Sequence, residues 1–206
     1  MEKENKYRRL GIYGGTFSPP HLGHVHAAEV FLSMGGIDEL LVIPTYETPL
    51  KTRTEITSPE DRLAMCRLAF SFSPRVSVSD MEILRTGKSY TSETLSLLSS
   101  PSVRLSFLCG TDMFLTMGKW HAPETIFSLA EIVCMRREDE ADKAEALSCK
   151  AEEYMRNFGA TIRFLNAPPV KISSSEIRAR ITCGEDVSAY LSDGVYRYIK
   201  EKGLYV

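Results

Sequence analysis

Gly14-Gly15-Thr16-Phe17-Ser18-Pro19-Pro20-His21-Leu22-Gly23-His24 decides how the rest of this chain is read. It follows an apolar run, Leu10–Tyr13, that reads as a buried strand, and precedes Val25–Met34, which reads as a helix. Two glycines at a strand end permit a tight turn and let a ligand approach the backbone. His21 and His24, spaced i to i+3, put two imidazoles on one face of the first helical turn. That turn also carries unpaired N–H groups and the positive end of the helix dipole, which suit phosphate. A strand, a glycine turn and paired histidines at a helix start together suggest a nucleotide's phosphates held for attack. Zinc is the other chemistry that two histidines suggest. No third ligand stands near them, and a zinc site takes three or four protein ligands. His26 is expected to face away from His24 and to be structural or exposed.

Outward from this stretch, short β-like runs alternate with helical patterns. Strands are expected at Leu10–Tyr13, Leu40–Ile43, Val76–Val78, Val103–Leu108, Ile132–Arg136 and Thr161–Leu165. Helices are expected at Val25–Met34, Pro59–Phe72, Ser92–Leu98, Pro123–Leu129 and Ala141–Asn157. Ser58-Pro59-Glu60-Asp61 carries an N-cap, a proline at the first helical position and an acid three residues on from the cap. Gly159 is a C-terminal stop. The alternation predicts one α/β domain over residues 1–206, with a doubly wound, mostly parallel sheet and helices on both faces. Such sheets bind ligands beyond the carboxyl ends of their strands, where the Gly14–His24 turn leaves the first strand. Pro44–Thr57 has no periodicity and reads as a surface loop over the site, with Lys51 in it.

The chain has 206 residues, enough for a sizeable core, and a net charge of −2. That charge excludes a global attraction to nucleic acid or to an anionic membrane. No apolar run approaches the ~20 residues of a membrane span. Met1–Arg9 is charged rather than apolar, unlike a signal peptide. Five widely spaced cysteines without a Cys-x-x-Cys pair read as small core residues in a reducing cytoplasm.

A second phosphate motif lies in Lys171-Ile172-Ser173-Ser174-Ser175-Glu176-Ile177-Arg178. Ser173 and Glu176 form a capping box. Three serines at a helix N-terminus also offer hydroxyls and N–H groups to an anion, and Arg178 adds a planar charged donor one turn in. Paired with the first motif, this places two helix N-termini on one polyphosphate.

Gly-Gly-Thr-Phe-x-Pro-x-His-x-Gly-His and Ile-Ser-Ser-x-Glu-Ile-Arg resemble the two signatures of the nucleotidyltransferases that carry a His-x-Gly-His motif. Ser89-Tyr90-Thr91, Gly110-Thr111-Asp112 and Trp120 narrow the resemblance to bacterial nicotinate-nucleotide adenylyltransferases, and the match runs over nearly the whole chain. The resemblance implies that ATP and nicotinate mononucleotide give the deamido dinucleotide and pyrophosphate. It implies ATP contacts from Gly14, Gly15, Thr16, Phe17, His21 and His24. Gly110, Asp112, Ile172, Ser173, Ser174 and Arg178 complete that set, with Asp112 on the ribose. His21, His24 and Arg178 would carry the chemistry, and Mg²⁺ would arrive bridged to the ATP phosphates. The mononucleotide would meet Lys51, Tyr90, Thr91 and Trp120, the tryptophan stacking on the ring. A homo-oligomer stays open.

Three residues depart from the family pattern. Ser18 stands where Asp or Asn is frequent, Pro49-Leu50-Lys51 lacks a loop histidine, and His121 follows Trp120 where some relatives have Tyr. A transferase acting on pantetheine phosphate or an alcohol phosphate would share the histidine motif but need neither Trp120 nor Ser89-Tyr90-Thr91. A synthetase fragment would need a longer chain and a basic face for tRNA. A non-catalytic nucleotide-binding module would not need intact His21, His24 and Arg178.

Overall fold

The computed structural model describes residues 7–48, 57–137, 143–168 and 172–206. Its strands are β1 (Arg8–Gly15), β2 (Glu39–Pro44), β3 (Val76–Val78), β4 (Val103–Gly110), β5 (Ala130–Arg137) and β6 (Ile162–Ala167). They form one sheet in the order β3-β2-β1-β4-β5-β6. Every pairing is parallel. The helices are α1 (Leu22–Met34), α2 (Pro59–Ala69), α3 (Met81–Arg85), α4 (Thr91–Leu98), α5 (Thr111–Thr116), α6 (Pro123–Leu129), α7 (Ala144–Phe158), α8 (Ser174–Thr182) and α9 (Asp193–Lys202).

Strand side chains alternate between the two faces, so each strand feeds two cores. Leu105, Phe107 and Cys109 of β4, with Ile132 and Cys134 of β5, pack under Leu95 of α4, Phe114 of α5, Phe127 of α6 and Leu147 of α7. Leu108, Val133 and Met135 face the other way, under Phe31 of α1, Met65 of α2, Ile177 of α8 and Ile199 of α9. Burying side chains of this size stabilises by ~1.5–3 kcal/mol each. That packing fixes the helix starts relative to the strand ends.

All six expected strands are present. Helix α2 stops at Ala69 rather than Phe72, because Ser71, Ser73 and Pro74 supply turn chemistry and proline disfavours helix before it. Gly159 does end α7, in the left-handed conformation at φ 65°. Helices α3, α5 and α9 are additions to the expected elements. The first two span five and six residues, too short to show a periodic stripe. In α9 only Val195 and Ile199 are buried, a single i, i+4 pair in a polar segment.

The strand order reverses between β1 and β4, the position where open parallel sheets leave a crevice beyond their carboxyl ends. β1 ends there at Gly15 and β4 at Gly110.

Candidate active site

A cavity of about 1090 Å³ opens at this crevice. Its floor is the end of β1. Gly15 is obligatory there, since a Cβ on it would stand 2.9 Å from the Phe17 ring. Phe17 has φ 49°, a left-handed conformation that costs a non-glycine residue on the order of 1 kcal/mol or more. Its ring is 2% exposed. It packs edge-on against Tyr13 and Phe70, with centroids 5.3 and 5.5 Å away. Phe17 is thus a buried post that backs His24 at 5.1 Å and belongs to the cavity lining.

His21 is the N-cap of α1 and His24 is its third residue. The His21 backbone N–H donates to His24 Nδ1 at 3.2 Å. A neutral His24 therefore carries its proton on Nε2, the nitrogen able to donate to a phosphate. The two rings stack, with centroids 3.7 Å apart and planes 29° from parallel. His26 differs from expectation: it lines the same cavity together with Gly23 and Ala27. Those positions are i, i+3 and i+4, one continuous face of the helix.

The second motif is docked on the first. Ser173 caps α8 through a complete capping box with Glu176. The Ser173 N–H donates to Glu176 Oε2 at 2.8 Å, and the Glu176 N–H to Ser173 Oγ at 3.2 Å. These bonds, the hydroxyl contact foremost, hold the Glu176 carboxyl below its usual range. The Ser174 hydroxyl donates to the Pro19 carbonyl at 2.9 Å. Arg178 Nη1 donates to the Ser18 carbonyl at 2.9 Å. The two helix starts expected to share a polyphosphate are therefore joined through backbone of the first turn. Ile172 is buried in the core beside them.

At the end of β4, Gly110 has open space around its Cα and caps α5. The Asp112 side chain is 87% exposed and ion-paired with Lys143 at 3.0 Å. Trp120 lies farther along the cavity wall. Its ring meets Phe107 edge-on at 6.4 Å, and Nε1 donates to Thr116 Oγ1 at 3.4 Å. It is both half-buried against the core and part of the cavity lining. Tyr90 caps α4 and lies tilted against His121, ring centroids 4.3 Å apart, with Thr91 as the first helical residue. Lys51 lies outside the described residues.

Several contacts around the site carry no signal in the sequence. Lys143 reaches Asp112 across 31 positions. Ser18 Oγ contacts the Tyr205 hydroxyl at 3.2 Å, from 187 positions away, and accepts from the Thr57 N–H at 3.4 Å. Burial pushes the Tyr205 phenol up to about 12. Arg62 and Glu82 are buried, Glu82 in the cavity wall itself, and burial drives the Glu82 carboxyl upward, against the Thr94 hydrogen bond and the nearby Ser89 hydroxyl. These contacts join distant segments, which no local pattern announces.

Two helix N-termini and an imidazole pair at the switch point of a parallel sheet define a nucleotide-binding α/β protein built to handle phosphates. Residues 12–180 match the family model described as cytidylyltransferase-like. The chain is 35% identical, over 96% of its length, to the whole of a "Probable nicotinate-nucleotide adenylyltransferase" of Desulfatibacillum aliphaticivorans. It is 33% identical, over 97% of its length, to the whole of one from Lachnoclostridium phytofermentans. Among solved structures, the Plasmodium falciparum nicotinic acid mononucleotide adenylyltransferase complexed with NaAD superposes with a TM-score of 0.78 at 20% identity, covering 97% of this chain and 98% of that one. The chain belongs to the cytidylyltransferase-like family and, within it, to the nicotinate-nucleotide adenylyltransferases.

Proposed function

We propose that this chain transfers the adenylyl group of ATP to nicotinate mononucleotide, releasing pyrophosphate and forming the deamido dinucleotide of NAD biosynthesis. The observation that carries the reading is the docking of α8 on the first motif by the Ser174–Pro19 and Arg178–Ser18 bonds, in a cavity that Trp120 and Tyr90 also line. The cavity's size, about 1090 Å³, stands at the upper end of ordinary ligand pockets, ~300–1,000 Å³.

The nucleophile in this reaction is an oxygen of the mononucleotide's phosphate, already ionised near neutral pH, so no general base is required. It attacks the α-phosphorus of ATP, and the bond to the β-phosphate oxygen breaks as pyrophosphate leaves. Catalysis is then alignment of two anions and stabilisation of charge on the departing oxygens. His24 Nε2–H and His21 would contact the phosphate oxygens around the reacting phosphorus. The start of α8, with Ser173, Ser174 and Arg178, would receive the β- and γ-phosphates. Among the described residues no three His, Cys, Asp or Glu side chains converge as metal ligands. Mg²⁺ carried in with the ATP phosphates would neutralise charge there.

For the mononucleotide, the α4 N-terminus at Thr91, also in the cavity lining, would present N–H donors and partial positive charge to the pyridine substituent. A carboxylate suits that environment, whereas an amide NH₂ would lack an acceptor. Hydrogen bonds to a charged group gain ~1.5–3 kcal/mol and an unsatisfied buried polar group costs ~1–3 kcal/mol, so discrimination of about a hundredfold or more is expected. The test is pyrophosphate release with ATP and a panel of phosphate acceptors, comparing kcat/KM for nicotinate and nicotinamide mononucleotides. Fast release with nicotinate mononucleotide is the expected result. Release only with pantetheine phosphate or an alcohol phosphate overturns the assignment. Equal values for the two mononucleotides move the carboxylate site elsewhere.

A further inference from the structure

Arg62 is the bulkiest fully buried side chain among the described residues, at 1% exposed. No carboxylate among those residues lies within ion-pair distance of it. Its guanidinium instead donates to three backbone carbonyls: Nε to Thr57 at 3.2 Å, Nη1 to Thr16 at 2.9 Å and Nη2 to Tyr46 at 3.0 Å. Thr16 belongs to the phosphate turn after β1, and Tyr46 to the segment leaving β2. On its other side, the Tyr46 N–H donates to Ser89 Oγ at 3.0 Å. Glu82 lies next to Ser89, whose hydroxyl favours its charged form; Glu82 Oε1 accepts from Thr94 Oγ1 at 2.5 Å, and its buried Oε2 makes no hydrogen bond among the described residues. Ser89, Glu82 and Thr94 are all buried.

Hydrogen bonds run from Thr16 through Arg62 and Tyr46 to Ser89, and Glu82, beside Ser89, is bonded on to Thr94. One end sits in the turn that delivers His21 and His24. The other brackets Tyr90 and Thr91, the start of α4. Stability alone is a poor reason for it, because apolar side chains filling the same space would avoid desolvating a guanidinium and a carboxylate. Geometry is a better reason. A planar guanidinium with donors in fixed directions sets the relative position of three segments at once, which a Lys ammonium cannot do. In-line transfer between two bound anions depends on such registration, and a misplacement of ~1 Å costs on the order of a hundredfold in rate.

We propose that Arg62 and Glu82 are positioning residues, the two charged members of a buried strut that sets the phosphate turn after β1 against the start of α4. The inference rests on the adenylyl-transfer reading above and locates what aligns its two substrates.

The experiment measures kcat and both KM values for Arg62→Lys, Glu82→Ala, Glu82→Gln and the double variant Arg62→Lys/Glu82→Ala, with thermal melts and circular dichroism on each. Arg62→Lys and Glu82→Ala should each lose about 30-fold or more in kcat as folded proteins, with the KM for ATP changed less than about threefold. Glu82→Gln keeps an acceptor for the Thr94 hydroxyl and should recover most of the loss. The double variant should lose little more than the worse single one, because both changes break one strut. Should a variant fail to fold, Thr94→Val breaks the far end with a smaller volume change and should reproduce the kcat loss. Folded single variants with normal kcat, a lowered melting temperature alone, or losses that multiply in the double variant overturn the proposal. Wild-type enzyme in the same assay separates the two ideas. Wild-type protein that does not turn over sinks the function, whereas wild-type turnover matched by the variants sinks only the strut.

Discussion

His21 and His24 stack ring on ring at the start of α1, 3.7 Å between centroids, with His24 Nδ1 committed to the His21 backbone N–H at 3.2 Å. The stack and the hydrogen bond fix His24's orientation and tautomer before any substrate arrives, which is what a preorganised donor requires.

His24→Ala is expected to abolish most turnover while the fold stays intact. Losing one preorganised donor to a transition state typically costs ~10²–10³ in rate. The variant loses the bond from the His21 N–H and ring contacts with His21 and Phe17, all local to the helix start, so circular dichroism should match wild type. Near-normal kcat in a correctly folded variant would exclude His24 from the chemistry.

Arg178→Ala removes both a donor to phosphate and the bond that docks α8 on the Ser18 carbonyl. The loss of charge-assisted hydrogen bonds worth ~1.5–3 kcal/mol should raise the KM for ATP about tenfold or more, or lower kcat. A change confined to the mononucleotide's KM would place the second motif at the wrong substrate.

Trp120→Ala should weaken the mononucleotide far more than ATP, since stacking of a ring on an aromatic side chain is worth ~1–3 kcal/mol. Because the Trp120 ring also meets Phe107, some loss of melting temperature is expected as well. Steady-state KM for each substrate, read beside the melt, separates the two roles. Equal loss of both substrates in proportion to stability would make the tryptophan a core residue only.

The capping box gives α8 a pH dependence. Glu176's carboxyl sits below its ordinary value of 4.5 in the folded chain, chiefly through the Ser173 side-chain hydrogen bond. A lowered folded value means that the stabilisation is present above the unfolded value and is lost as pH falls through the folded one. Glu176→Gln should therefore lower the urea midpoint relative to wild type at pH 7, and the gap should close below about pH 4. A gap unchanged at pH 3 would show that the carboxylate's charge contributes nothing to the helix start.

Alone, the sequence determined the elements whose cause is local. Alternating apolar runs made the strands, because a buried strand needs side chains at every position. Ser58-Pro59 and the Ser173–Glu176 box set helix starts because a capping bond spans only three residues. Gly14-Gly15 before His21 and His24 made the phosphate turn legible, since the turn, the helix start and the imidazoles lie within eleven consecutive positions. Short α3 and α5 escaped because fewer than two helical turns show no period, and α9 because it buries a single pair. Tertiary structure alone decided what joins these parts: Ser18 to Tyr205, Asp112 to Lys143, and Arg62 to the carbonyls of Thr16, Tyr46 and Thr57. Such bonds depend on the packing of whole helices against a completed sheet. A lone arginine or tyrosine in the sequence has no fixed partner until loop closure and core packing bring one to it.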